Sequence, residues 1–168
     1  MANNLSAFSQ GDHALNVGKI SLSDLFQHFE DLNTPFFKDQ DIELNMSAKN
    51  VWIEADADKF LQALQNLIFN SREALDQTDG VGQKNVIASN VGDQILLSVR
   101  DDGPGIPINH YKNVFKPFYR LDSSRNLNQV GVGLGMSISE DIIRSHGGNI
   151  ELNESKHKGL QVRISLPF

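Results

Sequence analysis

Residues 55–77, "ADADKFLQALQNLIFNSREALDQ", are the strongest helix signal in the chain. At about 100° per residue, Phe60, Leu64, Leu67, Ile68 and Leu75 fall on one apolar stripe, with Gln62, Asn66, Asn70, Glu73 and Gln77 opposite. A helix with a single apolar stripe must lay it against a second layer. Acidic residues open the segment and Asp79-Gly80 follows its end, as helix boundaries require.

The rest of the chain supplies that layer as strands. "KNVIASN", Gly92-Asp93 and "QILLSVRD" read as a hairpin, and "NIELNES" with "LQVRISLPF" as a closing one. "IELNM" and "NVWIEA" are short strands. "SLSDLFQHFEDLNTPFF" is a helix expected to stop near Pro35, and "GLGMSISEDIIRSHGG" is a helix with glycines at both ends. Hairpins between helices, without strict βαβ alternation, predict an α+β two-layer sandwich: a mixed, mainly antiparallel sheet with one layer of helices. A chain of 168 residues suits one domain. Its polar start, residues 1–20, reads as a linker, and the domain as 21–168.

Composition narrows the classes. A net charge of -6 argues against nucleic-acid or anionic-membrane surfaces. Without Cys there are no disulfides or thiolate metal sites, which suits a cytoplasmic setting. No apolar run approaches the roughly 18 residues of a membrane span, and no signal peptide is visible.

Three segments hold chemistry. Asn66 and Asn70 stand one turn apart in mid-helix, where Asn is a poor helix former; amide oxygens aimed at a cation or a phosphate-bound metal explain them, a solvated face being the plain alternative. In "VRDDGPGIP", period-two alternation continues Ile95, Leu97 and Val99 into Asp101. Asp101 then needs donors, from loop amides or from a ligand amino group, while Asp102 turns outward. No D-x-D-x-D-G calcium pattern is present. In "GVGLGMSIS", Gly131, Gly133 and Gly135 run into a helix whose N-terminal amides suit phosphate; the spacing fits neither the Rossmann nor the Walker loop.

Between the glycine segments, Lys112, Lys116, Arg120 and Arg125 interleave with Phe115, Phe118 and Tyr119. They read as a loop pinned by aromatics or as a mobile lid whose cations reach phosphate, with Phe115 and Phe118 as its anchors. His146, before Gly147-Gly148, reads as a cation at a helix C-terminus. His13, His28, His110 and His157 lack metal-ligand spacing.

The order "LQALQNLIFNSREAL", "DDGPGIP", "VFKPFYR" and "GVGLGMSI" resembles the N box, first glycine box, F box and second glycine box of sensor histidine kinases. Their catalytic ATP-binding domain has the Bergerat fold shared with gyrase, Hsp90 and MutL. The resemblance runs from about Ser21 to Phe168 and implies ATP and Mg²⁺ as ligands. It implies Asn70 as the Mg²⁺-coordinating asparagine, with Asn66 facing the nucleotide, and Asp101 as acceptor of the adenine amino group. Gly103 and Gly105 would lie under the adenine, next to Ile106. Gly131, Gly133 and Gly135, with Val132, Leu134 and Met136 in the same box, would border the phosphates. Phe118 would border the nucleotide from the F box, and Arg120 or Arg125 would serve the γ-phosphate from the lid.

Some positions depart from the family. Glu73 and Ala74 stand where many members have a Lys and an aromatic, and Val132 replaces a small hydroxyl residue. At Asn66 the ATPase relatives carry a Glu base, so an Asn favours transfer to histidine over hydrolysis. No histidine here stands in an H-E-x-x-x-P context. The resemblance therefore implies the catalytic part of a longer sensor kinase, monomeric by itself, which phosphorylates a helical dimerisation hairpin and through it a response regulator receiver domain; the parent is cytoplasmic or anchored in the inner membrane. Two other readings stay open: a stand-alone Ser kinase of the superfamily, and a non-catalytic nucleotide-binding docking module.

Overall fold

Ile95, Leu97, Val99 and Asp101 are all buried on one face of "QILLSVRD", and this strand forms the middle of the sheet that carries the molecule. The computed structural model describes residues 14–75, 82–121, 132–155 and 159–168, with 71–75 as backbone alone. Its strands are β1 (Gly18–Ser21), β2 (Ile42–Ala48), β3 (Trp52–Ala55), β4 (Gly82–Val91), β5 (Gln94–Asp101), β6 (Asn149–Glu154) and β7 (Leu160–Pro167). The helices are α1 (Leu22–Asp39), α2 (Ala57–Leu75) and α3 (Gly135–Ser145), with a 3-10 turn at Ile108–His110.

The main sheet has the order β2-β4-β5-β7-β6, and β2–β4 is its one parallel pair. The antiparallel registers align the inward rows: Val86, Val99, Val162 and Leu152 lie side by side, as do Ala88, Leu97, Ile164 and Ile150. Against them lie Phe60, Leu64, Leu67 and Ile68 of α2 and Ile138, Ile142 and Ile143 of α3. Each such side chain contributes about 1.5–3 kcal/mol on burial. The expected mainly antiparallel sandwich is present. A separate ribbon, β1 with β3, pairs Gly18 with Ala55 and Ser21 with Trp52, so regular structure starts before Ser21.

Helix α1 overturns one expectation. Ser21 caps it by accepting from the Asp24 N–H (3.3 Å), but the helix runs through Pro35 to Asp39. A proline inside a helix costs about 3 kcal/mol. The aromatic cluster beyond it offsets that cost. Phe37 is buried and stacks on Phe69 at 5.5 Å, and Phe36 meets Phe69 edge-on at 5.3 Å. Aromatic pairs add about 0.5–1.5 kcal/mol each to their burial, and only a continued helix brings both rings to α2.

Candidate nucleotide site

Asp101 ends β5 on the inward row and is 5% exposed. Its Oδ1 accepts from the Gly103 N–H (3.0 Å) and the Leu160 N–H (3.1 Å). Burial pushes this carboxyl above the usual range, and the two backbone donors and the Lys84 ammonium pull against it. The chain opposite leaves no spare room. A side-chain carbon on Gly159 would come 1.9 Å from the Asp101 carbonyl oxygen. Asp102 has the separate task its outward alternation suggests: its Oδ1 accepts from the Gln83 N–H (2.9 Å) and ties the loop to the start of β4. Gly103 is buried, Gly105 takes φ +73°, and Ile106 packs half-buried on the core.

Asn70 of α2 lies at the start of α3. The Asn70 carboxamide occupies the space a Cβ on Gly135 would need, with its Nδ2 2.8 Å and its Oδ1 3.0 Å from that point. One turn earlier, the buried Nδ2 of Asn66 has no hydrogen-bond partner among the described residues. An orphaned buried donor costs about 1–3 kcal/mol, which an acceptor on a ligand would recover. Helices α2 and α3 are joined behind this point by Ser139, whose Oγ donates to the Gly135 carbonyl (2.9 Å) and reaches the Ala63 carbonyl (3.3 Å).

The second glycine box is described from Val132 onward. Gly133 has φ +74°, and its missing Cβ would lie 2.9 Å from the Phe118 carbonyl carbon. Both facts require glycine. Leu134 is a core residue, 4% exposed, so only its backbone could serve a ligand. Met136 packs half-buried on the core, and Val132 is exposed.

In the F-box segment Phe115 is an anchor as expected, half-buried on the core. Phe118 is anchored differently: its N–H donates to the Gly133 carbonyl (2.9 Å), and with φ +64° its ring is 65% exposed. The backbone bond does the anchoring. Tyr119 hydrogen-bonds through its hydroxyl to Nδ1 of His110. Arg120 is exposed. Gly131 and Arg125 lie outside the described residues, as do His13, His157, Gln77 and the side chains of Glu73, Ala74 and Leu75.

His146 reaches beyond the end of its own helix. Its Nε2 accepts from the Asp56 N–H (3.0 Å), while Nδ1 faces the Ile142 carbonyl (2.7 Å). A backbone N–H can only donate, so Nε2 is the acceptor in this contact. It joins the end of α3 to the start of α2. Lys84 was missed, although period two from Val86 and Ala88 places it on the buried face.

Among the described residues, no cluster of three or more His, Asp or Glu side chains could hold a metal ion. The Asn70 carboxamide, beside Gly135, offers a neutral oxygen of the kind that could share a metal with a ligand's phosphates. An open groove of about 530 Å³ lined by Ser21, Asp24, Met46, Lys49 and Trp52 contains none of these residues. No helix among the described residues is long and apolar enough to cross a membrane.

Known proteins share this fold. The sensor histidine kinase WalK of Bacillus subtilis is 31% identical over 171 residues, covering 98% of this chain and 27% of that protein. The chain thus spans about a quarter of that relative's length. Full-length ShkA in complex with AMPPNP superposes with a TM-score of 0.81 at 21% identity, over 98% of this chain and 34% of that one. The histidine kinase ThkA in complex with the response regulator TrrA gives 0.77 at 23% identity, over 97% and 45%. These likenesses show the Bergerat fold. Residues 55–168 match the family described as histidine kinase-, DNA gyrase B-, and HSP90-like ATPase, and the chain belongs to that family.

Proposed function

We propose that this chain binds Mg-ATP and transfers the γ-phosphate to a histidine on a separate helical hairpin, as the catalytic domain of a two-component sensor kinase. The observation that carries the reading is Asp101. Both of its backbone donors reach Oδ1, and among the described residues no hydrogen bond is made to Oδ2, which leaves that oxygen of a largely buried side chain to accept from the adenine amino group. Gly103 and Gly105 make room beside it for a flat ring.

Asn70 would hold Mg²⁺ by its amide oxygen, and the Asn66 amide would donate to phosphate. The metal supplies charge neutralisation on the phosphates. Arg120, Arg125 and the amides at Gly131, Gly133 and Gly135 would add positive potential around the γ-phosphate. With the phosphates so held, a neutral imidazole nitrogen of the acceptor attacks phosphorus, the bond to the β–γ bridging oxygen breaks, and ADP leaves. Positioning and electrostatics carry such a reaction. Asn66 cannot take a proton from water, so hydrolysis without an acceptor is slow.

The name of the Bacillus relative and the complex of ThkA with its response regulator support a His-to-Asp relay for the whole protein. The test is radiolabel transfer from [γ-³²P]ATP to a sensor-kinase phosphoacceptor hairpin supplied in trans. Acid-labile, base-stable label on the hairpin is expected; label on serine, or rapid phosphate release without any hairpin, overturns the reading.

A further inference from the structure

Lys84 is fully buried on the inward face of β4, where an ammonium is costly unless paired and hydrogen-bonded. Its Nζ donates to the carbonyl of Ile68 and lies 5.5 Å from the centre of the Phe37 ring. Ile68 is on α2 midway between Asn66 and Asn70. Lys84 is also the register partner of Asp101, and both side chains turn inward. Partners in an antiparallel pair have Cα atoms about 4.5–5.5 Å apart. One cation thus bonds to the helix of the two asparagines and acts electrostatically on the carboxylate paired with it across the strands.

We propose that Lys84 is a positioning residue for nucleotide recognition: it holds α2 at Ile68 and keeps the Asp101 carboxyl in the ionised form that accepts from an amino group. This rests on the reading of Asp101 as the adenine contact. Among the described residues, the charged groups acting on Asp101 are Lys84 from β4 and Asp102 on its own chain, while β7 contributes the Leu160 N–H. Of these charges only Lys84 favours ionisation. Burial works the other way, so a neutral side chain at position 84 leaves the carboxyl protonated at higher pH.

The test is calorimetric titration with ADP across pH 5–8 for wild type and Lys84→Met, which keeps an unbranched stem and removes the charge. The acid limb of affinity is expected to move toward neutrality. A uniform loss of affinity at every pH, or no change, overturns the role. If Lys84→Met fails to fold, wild-type protein with ¹⁵N-labelled lysine decides. The Lys84 ammonium resonance must shift as Asp101 titrates and again on addition of ADP; indifference to either overturns the proposal. Wild type that binds no ADP removes the nucleotide reading itself, a result distinct from both.

Discussion

The Asn70 carboxamide fills the space that a side-chain carbon on Gly135 would need, so Asn70 of α2 and the first residue of α3 are mutually dependent. Gly135→Ala should push the carboxamide away while leaving both helices intact. Alanine is the better helix former by up to about 1 kcal/mol. The expected result is an unchanged or higher melting temperature, with Mg²⁺-dependent nucleotide affinity reduced about ten-fold. Calorimetry with and without Mg²⁺ checks it; equal loss in both conditions would place the effect elsewhere.

Gly159→Ala should behave oppositely. Its Cβ would meet backbone at 1.9 Å from the Asp101 carbonyl oxygen, which no side-chain rotation relieves. Overpacking of this kind costs about 1–3 kcal/mol. Denaturant unfolding should show that loss, together with weakened ADP binding, because the Leu160 amide that serves Asp101 must move. Wild-type stability would contradict the packing described.

Asp56 caps α2, its Oδ1 accepting from the Lys59 N–H (3.1 Å) and its Oδ2 from the Asn16 N–H (3.0 Å). These backbone bonds hold its carboxyl below the usual value of 3.8. A depressed carboxyl contributes stability that is present above its unfolded-state pKa and lost as pH falls through the folded one. Asp56→Ala should therefore cost about 1 kcal/mol at pH 7. The difference from wild type should shrink below pH 4, and a difference constant down to pH 2 would refute the assignment.

His146→Leu removes the acceptor for the Asp56 N–H and the clasp between α2 and α3. Stability should fall by about 1–3 kcal/mol, as read by thermal unfolding. His146→Gln keeps an acceptor and should recover part of it. If the two variants match, the bond to Nε2 carries no weight.

Much of this architecture is legible in the residues because local periodicity and global burial agree. Phe60, Leu64, Leu67 and Ile68 form the buried stripe, and alternation along β5 places Asp101 inward and Asp102 outward. Where a distant contact outweighs a local rule, the reading fails. Pro35 signals a helix end, but Phe36 and Phe37 draw the helix onward to Phe69 across the core. His146 reads as serving the end of its own helix, and beside the Ile142 carbonyl there it also takes a bond that no local rule signals, from the Asp56 N–H 90 residues away in sequence. The β1–β3 ribbon and the parallel β2–β4 pair are non-local pairings that no short window encodes. Lys84 was missed because a lysine in a strand ordinarily reads as solvated, and its burial makes sense only with Ile68 and Asp101 in place.

The central claim is that Asp101 meets the adenine, and titration of ADP into wild type and Asp101→Asn tests it most directly. Loss of a buried charge-assisted bond costs about 1.5–3 kcal/mol, so wild type should bind ADP and the Asn variant at least about ten-fold more weakly, with folding intact. Equal affinity in the two proteins would contradict the account.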